Sequence, residues 1–167
     1  MAIREIRKLG DPVLRIISEK VEKIDKKILN IIQDMLDTIN SDDYSAVGLA
    51  APQIGISKRI IVVKWDKTGV FINPEIKIID NEEEEMQEGC LSVYSIACMM
   101  KRPKKISVRA LSLNNEELNF KAEGMLARIF LHEVDHLDGK LFIDYLDSRK
   151  KREVMMKIAD INSGAAV

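Results

Sequence analysis

The sequence predicts one α+β domain. Mixed or antiparallel β-strands pack around a central helix, with helices near the N-terminus and one more helix near the C-terminus. Three observations carry this. The 167 residues are 46% apolar and 32% charged, enough chain and enough apolar surface for one buried core. Stretches with helical spacing are interspersed with short β-branched runs bounded by turn residues. No repeat or linker interrupts them, so residues 1–167 are read as a single domain.

Each element has its own signal. GDPVLRIISEK predicts a first helix, with Asp11 as cap and Pro12 at the first helical position. Asp25 precedes KKILNIIQDMLDTIN, where Ile28, Ile31, Ile32, Met35, Leu36 and Ile39 recur at helical spacing. The small residues and turn formers of VGLAAPQIGISKR lead into RIIVVKW, a strand read as buried on both faces. VFINPEIKIID reads as a strand pair broken at Asn73-Pro74. KKISVRALSL and ELNFKAE flank Asn114-Asn115 and approximate a hairpin. A third helix, from near Glu123, carries GMLARIFLHEVDHLDG; its apolar residues cover much of its surface, which makes it the central one, and Gly139 stops it. LFIDYL is a short strand or turn. Residues 148–160 predict an amphipathic C-terminal helix with Val154, Met155 and Ile158 on one side, and residues 161–167 a flexible tail.

Charge and cysteine content exclude little but set expectations. The net charge of -1 names no polyanionic partner. The runs EEEE (82–85) and RKKR (149–152) read as solvated loop or helix faces. No apolar stretch is long enough to span a bilayer and the N-terminus lacks a signal-peptide core, so a cytoplasmic location is expected. In a reducing compartment a Cys90–Cys98 disulfide is not expected.

Chemistry concentrates in LHEVDH. His132 and His136 project from one face of a helix and can reach one ion, while Glu133, rotated by about 100°, can sit beside that ion without binding it. This is the arrangement of a metal-activated water with a general base next to it. Two unrelated histidines on one helix are the plain alternative, disfavoured by the apolar neighbours. The chain has no third histidine. One zincin pattern would place a ligand at Phe142, and Glu153 lies in a basic run; neither serves. Cys90 and Cys98 remain. Cys90, in EGCLS, follows Gly89, which lets backbone approach a ligand. Taken alone, Cys90 reads first as a buried apolar thiol. A histidine pair in need of a partner favours it as the third ligand, leaving a coordination position open as catalytic sites do. Cys98, in SIACMMK, keeps the buried-thiol reading.

HEVDH, EGCLS and VGLAAPQIG resemble the three signature motifs of the peptide deformylases, in that family's order. GDPVLR, FINP and DHLDGKLFIDYL are also similar, so the likeness covers about residues 3–147. The resemblance implies a metal-dependent hydrolase that removes the formyl group from N-formylmethionyl peptides and releases formate. It implies Cys90, His132 and His136 as metal ligands and Glu133 as general acid/base. Gln53 and the Leu91 backbone N–H would support the oxyanion, and Gly48 and Gly89 would line the peptide groove. The pocket for the first side chain would have Val47, Met86, Met125, Ile129 and the His132 ring as walls. The family favours ferrous iron, and zinc, nickel or cobalt also suit the donor set. Related bacterial enzymes dock on the ribosome through a C-terminal helix, and Arg149, Lys150, Lys151 and Arg152 make such a partner an expectation here, against a plain solvated helix.

The chain departs from the family pattern at five positions. Ala46 stands where Gly is usual, Leu131 where Gln is common and Arg128 where an apolar pocket residue is common; Tyr94 and Ala97 replace a frequent Pro and Arg. Arg128 would either put a cation at the pocket rim or point outward. Two other functions compete: a metallopeptidase, which leaves EGCLS and AAPQ unexplained, and a binding module that has lost catalysis, which leaves the retained Glu133 unexplained.

Overall fold

Residue by residue from the N-terminus, the computed structural model describes residues 2–164. The first predicted helix is only a 3-10 turn, Pro12–Arg15, in which the Asp11 carboxylate accepts from Val13 N–H at 3.0 Å. The cap signal was real, but no apolar face follows it: Leu14 is buried while Ile16 and Ile17 are exposed. The next residues find extended partners instead. Ser18 N–H donates to Leu137 O, and Glu19 exchanges backbone hydrogen bonds with Ser57 and Arg59. Helix α1 (Lys26–Ile39) forms as expected, with Asp25 accepting from Ile28 N–H at 2.9 Å and Ile28, Ile32, Met35 and Ile39 buried.

Seven strands follow: β1 (Gly48–Ala50), β2 (Ile60–Lys64), β3 (Thr68–Ile78), β4 (Glu83–Gly89), β5 (Ala97–Pro103), β6 (Lys105–Leu111) and β7 (Glu117–Glu123). Five form an antiparallel sheet in the order β1-β2-β3-β6-β7, and β4-β5 form a separate antiparallel pair. β2 is buried on both faces from Ile60 to Val63. The expected break at Asn73-Pro74 is an irregularity within one strand, where the register shifts between Ile72 and Glu75. Asn73 adopts φ 51°, and its side chain bonds both the N–H and the C=O of Val21, at 2.8 and 2.9 Å. The amide stands in for a strand partner, so pairing resumes beyond the kink.

The β4-β5 pair was not expected. Glutamates 83–85 form strand, not a loop or helix face. Glu disfavours strands on propensity, yet exposure alternates with period two: Glu84, Met86 and Glu88 are sheltered while Glu83, Glu85 and Gln87 are exposed. The inward side is charged, which hides the pattern from a search for apolar alternation.

Helix α2 (Met125–Leu137) packs on β1, β2, β3 and β7. Phe130 is fully enclosed and meets Phe71 and Phe120 at ring-centroid distances of 4.9 and 5.4 Å. Gly139 ends this region at φ 71°, where a Cβ would come within 2.7 Å of Arg15 O. Of the two readings of LFIDYL the turn holds, as a 3-10 turn, Phe142–Tyr145. Helix α3 (Ser148–Asn162) is capped by Asp147 and buries Val154 and Ile158, whereas Met155 is exposed. The helix outlasts its predicted end at 160, so Ile161 and Asn162 are helical; of the predicted tail, residues 165–167 lie outside the described residues. Helices and antiparallel sheets thus share one α+β domain.

Candidate metal centre

Two segments far apart in sequence, α2 and the end of β4, bring three ligand-type side chains together. His132 and His136 leave one face of the helix, and Cys90 stands where β4 ends and a short 3-10 turn (Leu91–Val93) begins. Their ligand atoms lie within 4.8 Å of one another, and all three residues are buried. Cys90 Sγ is 3.3 Å from His136 Nε2. Burial opposes ionisation of the Cys90 thiol, but the neighbouring imidazoles outweigh it and hold its pKa well below the ordinary value. Cys98 is free and partly buried, and no disulfide joins the two cysteines.

The groups around the cluster suit an ion. His136 Nδ1 and Glu133 Oε2 are buried without a hydrogen-bond partner among the described residues. A thiolate and two imidazoles suit borderline divalent metals and leave coordination open. This donor set can hold one divalent ion.

Glu133 follows the first histidine and packs directly on β1. A Cβ at Gly48 would lie 2.8 Å from Glu133 Cδ, so only glycine permits this approach. Burial raises the Glu133 carboxyl to about 7, against the lowering influence of both histidines. Gln53 sits on the 3-10 turn Ala51–Ile54 that follows β1. Its Oε1 accepts from Ala50 N–H at 2.9 Å, and its Nε2 donates to Ser92 Oγ at 3.2 Å and towards Cys90 Sγ at 3.6 Å. The amide is thereby oriented with nitrogen towards the cluster.

A cavity of about 350 Å³ opens beside these groups, with Val47, Gly48, Gly89, Leu91, Met125 and Ile129 in its wall together with Gln53, Cys90, His132 and Glu133. Met86, expected there, does not line it: on the sheltered side of β4 it pairs across the hairpin with Met100. Ala46 does line the cavity. Leu131 packs into the apolar cluster between α2 and the sheet. Arg128 is buried rather than turned outward, and it too lines the cavity.

A family model described as polypeptide deformylase matches residues 3–152. The chain belongs to the peptide deformylase family. A peptide deformylase from Dictyoglomus turgidum is 48% identical over 143 residues, spanning 85% of this chain and 92% of its own. A crystal structure of a peptide deformylase from Legionella pneumophila superposes with a TM-score of 0.89 at 38% identity, covering 97% of this chain and 96% of that one. The peptide deformylase from Ehrlichia chaffeensis in complex with actinonin gives a TM-score of 0.87 at 36% identity, covering 95% and 96%. Like those relatives, this member of the deformylase family is an enzyme.

Sequence reasoning missed the support behind His132. Its Nδ1 is 2.7 Å from Glu88 Oε1, which leaves Nε2 to face the cluster. Glu88 also receives two bonds from Arg102, at 2.6 and 3.1 Å, and one from Arg128 at 3.0 Å. Arg102 reaches on to Asp135 at 2.7 Å, and Asp135 accepts from Tyr145 O–H at 3.0 Å. Burial alone would raise the Glu88 carboxyl, but hydrogen bonds from His132 and Arg102 overcome it and hold it at about 2. The available signal was Glu88 itself, inside EGCLS, at the sheltered end of an alternating run.

Proposed function

We propose that the chain hydrolyses the formyl amide of N-formylmethionyl peptides, with Cys90, His132 and His136 holding one divalent ion and Glu133 as general acid/base. The observation that carries the reading is Glu133: a buried, raised-pKa carboxyl pressed against Gly48, one residue from a ligand, in the wall of a cavity. A metal that is only structural has no need of such a group. The bound ion, ferrous iron by preference and zinc, nickel or cobalt as alternatives, supplies Lewis-acid polarisation of the formyl carbonyl and makes water more acidic.

The protein's residues do the rest. Glu133 takes a proton from the attacking water, the water oxygen bonds to the formyl carbon, and the C–N bond breaks as Glu133 returns the proton to the leaving amine. The products are formate and a peptide with a free amino terminus. Gln53 Nε2 and the Leu91 N–H stabilise the oxygen of the formyl group as it gains charge. Gly48 and Gly89 leave room for the peptide backbone, and Val47, Met125 and Ile129 receive the first side chain.

The test is formate release from a formyl-Met peptide by anaerobically prepared protein of verified metal content. Glu133→Ala should lower kcat by roughly 10²–10⁴-fold with metal still bound. No release by the loaded wild-type protein would refute the reading.

The substrate's origin on new chains favours a cytoplasmic site of action, and no helix among the described residues is long and apolar enough to cross a membrane. The exposed Arg149, Lys150, Lys151 and Arg152 on α3 support ribosome docking as part of the same proposal. Salt-sensitive ribosome binding should weaken when all four are replaced by Gln; unchanged binding would remove this partner.

A further inference from the structure

Along α2, Met125, Arg128, Ile129 and His132 all line the cavity, spaced so that they share one helix face. Three of them suit an apolar side chain. The fourth is a guanidinium, and it is buried, with a side chain only 4% exposed. Its placement is specified rather than incidental: Nη1 donates to Glu88 Oε2 at 3.0 Å and Nη2 to Glu84 O at 2.6 Å. Those bonds use two of the five N–H donors that a guanidinium carries.

Among the described residues Arg128 makes no other hydrogen bond, and its carboxylate partner is shared. The Glu88 carboxylate already receives Arg102 on both oxygens and His132 on Oε1. Arg102 has a second carboxylate, Asp135, to balance its charge, whereas Arg128 shares its carboxylate partner with Arg102. Arg128 is buried and borders the cavity. An occupant of that cavity is therefore what can satisfy it. Water does so when the cavity holds solvent; a purely apolar side chain displaces the water and leaves buried N–H groups unpaired.

We infer that Arg128 sets the specificity of this cavity, favouring a first side chain that carries a hydrogen-bond acceptor near its end over an apolar one of the same shape. The inference rests on the deformylase reading above and deepens it. Norleucine has no acceptor, the methionine thioether is a weak one and methionine sulfoxide a strong one, so these three side chains isolate the effect. Arg128 acts here on selection and not on the bond-breaking step.

The test compares kcat/KM of the metal-loaded enzyme for formyl-Xaa-Ala-Ser peptides with Xaa norleucine, methionine or methionine sulfoxide. The wild-type protein should prefer the sulfoxide to norleucine by about tenfold, with methionine between them. Arg128→Leu should abolish or reverse that ratio. The ratio is decisive because a purely structural role, acting through Glu88 and His132, would slow all three substrates alike. A wild-type preference for norleucine, or a ratio unchanged in Arg128→Leu, overturns the inference while leaving deformylation intact. No formate from any of the three peptides defeats the functional reading and this inference with it. Should Arg128→Leu not fold, the wild-type ratio decides.

Discussion

The five-stranded sheet and the β4-β5 pair both deliver residues to the same cavity, but they are held by different forces. The sheet buries an apolar layer under α2: Ile61, Val63, Ile106 and Val108 meet Phe130, Val134 and Leu137. The hairpin meets the same helix through charge, with Glu88 gathering Arg102, Arg128 and His132 while Arg102 spans to Asp135. Apolar burial is strong and undirected, so it serves to set the helix in place. Charge-assisted hydrogen bonds are directional, so they serve to set one imidazole's orientation. Rigid placement and fine orientation thus come from opposite sides of α2.

Phe130→Ala should produce the largest effect, because it removes a large, fully buried aromatic side chain on the sheet side. It should destabilise the fold by about 3–5 kcal/mol, read as a lower urea midpoint with the slope unchanged. A loss below about 1 kcal/mol would mean the aromatic cluster does not anchor the helix.

Acid should separate the two sides. The folded Glu88 carboxyl lies at about 2, below its ordinary 4.5. A depressed carboxylate adds stability that is complete above the unfolded value and lost as pH falls from 4.5 towards 2. The shift corresponds to a contribution on the order of 3 kcal/mol, with about 2 kcal/mol of it gone by pH 3. Metal-free wild-type protein should therefore lose more stability between pH 6 and pH 3 than Glu88→Gln does. Parallel losses in the two proteins would show that the hairpin's charges contribute nothing net.

Gly48→Ala probes the sheet side at the site itself. The added Cβ cannot coexist with the present Glu133 carboxyl, so Glu133 must shift while the strand stays paired. We expect activity to fall by on the order of 10²-fold with circular dichroism and metal content unchanged. Wild-type activity in that variant would show that the position of Glu133 tolerates displacement.

The same contrast explains what could be read from the sequence. α1, α2, β2 and the β6-β7 hairpin were legible because apolar side chains recur at the spacing of the element they build. β4 and β5 were not, because Glu84, Glu88 and Arg102 are inward-facing charges whose partners lie on other segments, beyond the reach of any local pattern. The overextended first helix has the same origin: Asp11-Pro12 is a genuine start signal, but tertiary hydrogen bonds from Ser18 and Glu19 end the turn. At the site, the spacing of His132, Glu133 and His136 was readable within a single helix. Cys90 was not reachable by spacing; it was reached by elimination, as the thiol after Gly89 once the histidine pair needed a third ligand, and the family likeness agreed with it. Met86 was misassigned and Arg128 left open for one reason: which side of β4 faces α2 depends on a strand the sequence did not reveal.

Glu88→Gln makes the smallest change and tests the hairpin's role most directly. The amide keeps the size of the carboxylate but removes its charge, and it offers Arg102 and Arg128 one oxygen in place of two. His132 would keep an acceptor only by taking that oxygen from an arginine. The imidazole is then held less firmly and is less basic, so metal affinity should fall by about 10–100-fold. The fold should survive near neutral pH, because the apolar face of α2 is untouched. Competition with a chelator measures the affinity, and kcat at saturating metal should change far less than the affinity does. Unchanged affinity would assign Glu88 to hairpin stability alone and leave the orientation of His132 to its packing against Phe142, whose ring centroid lies 6.2 Å away.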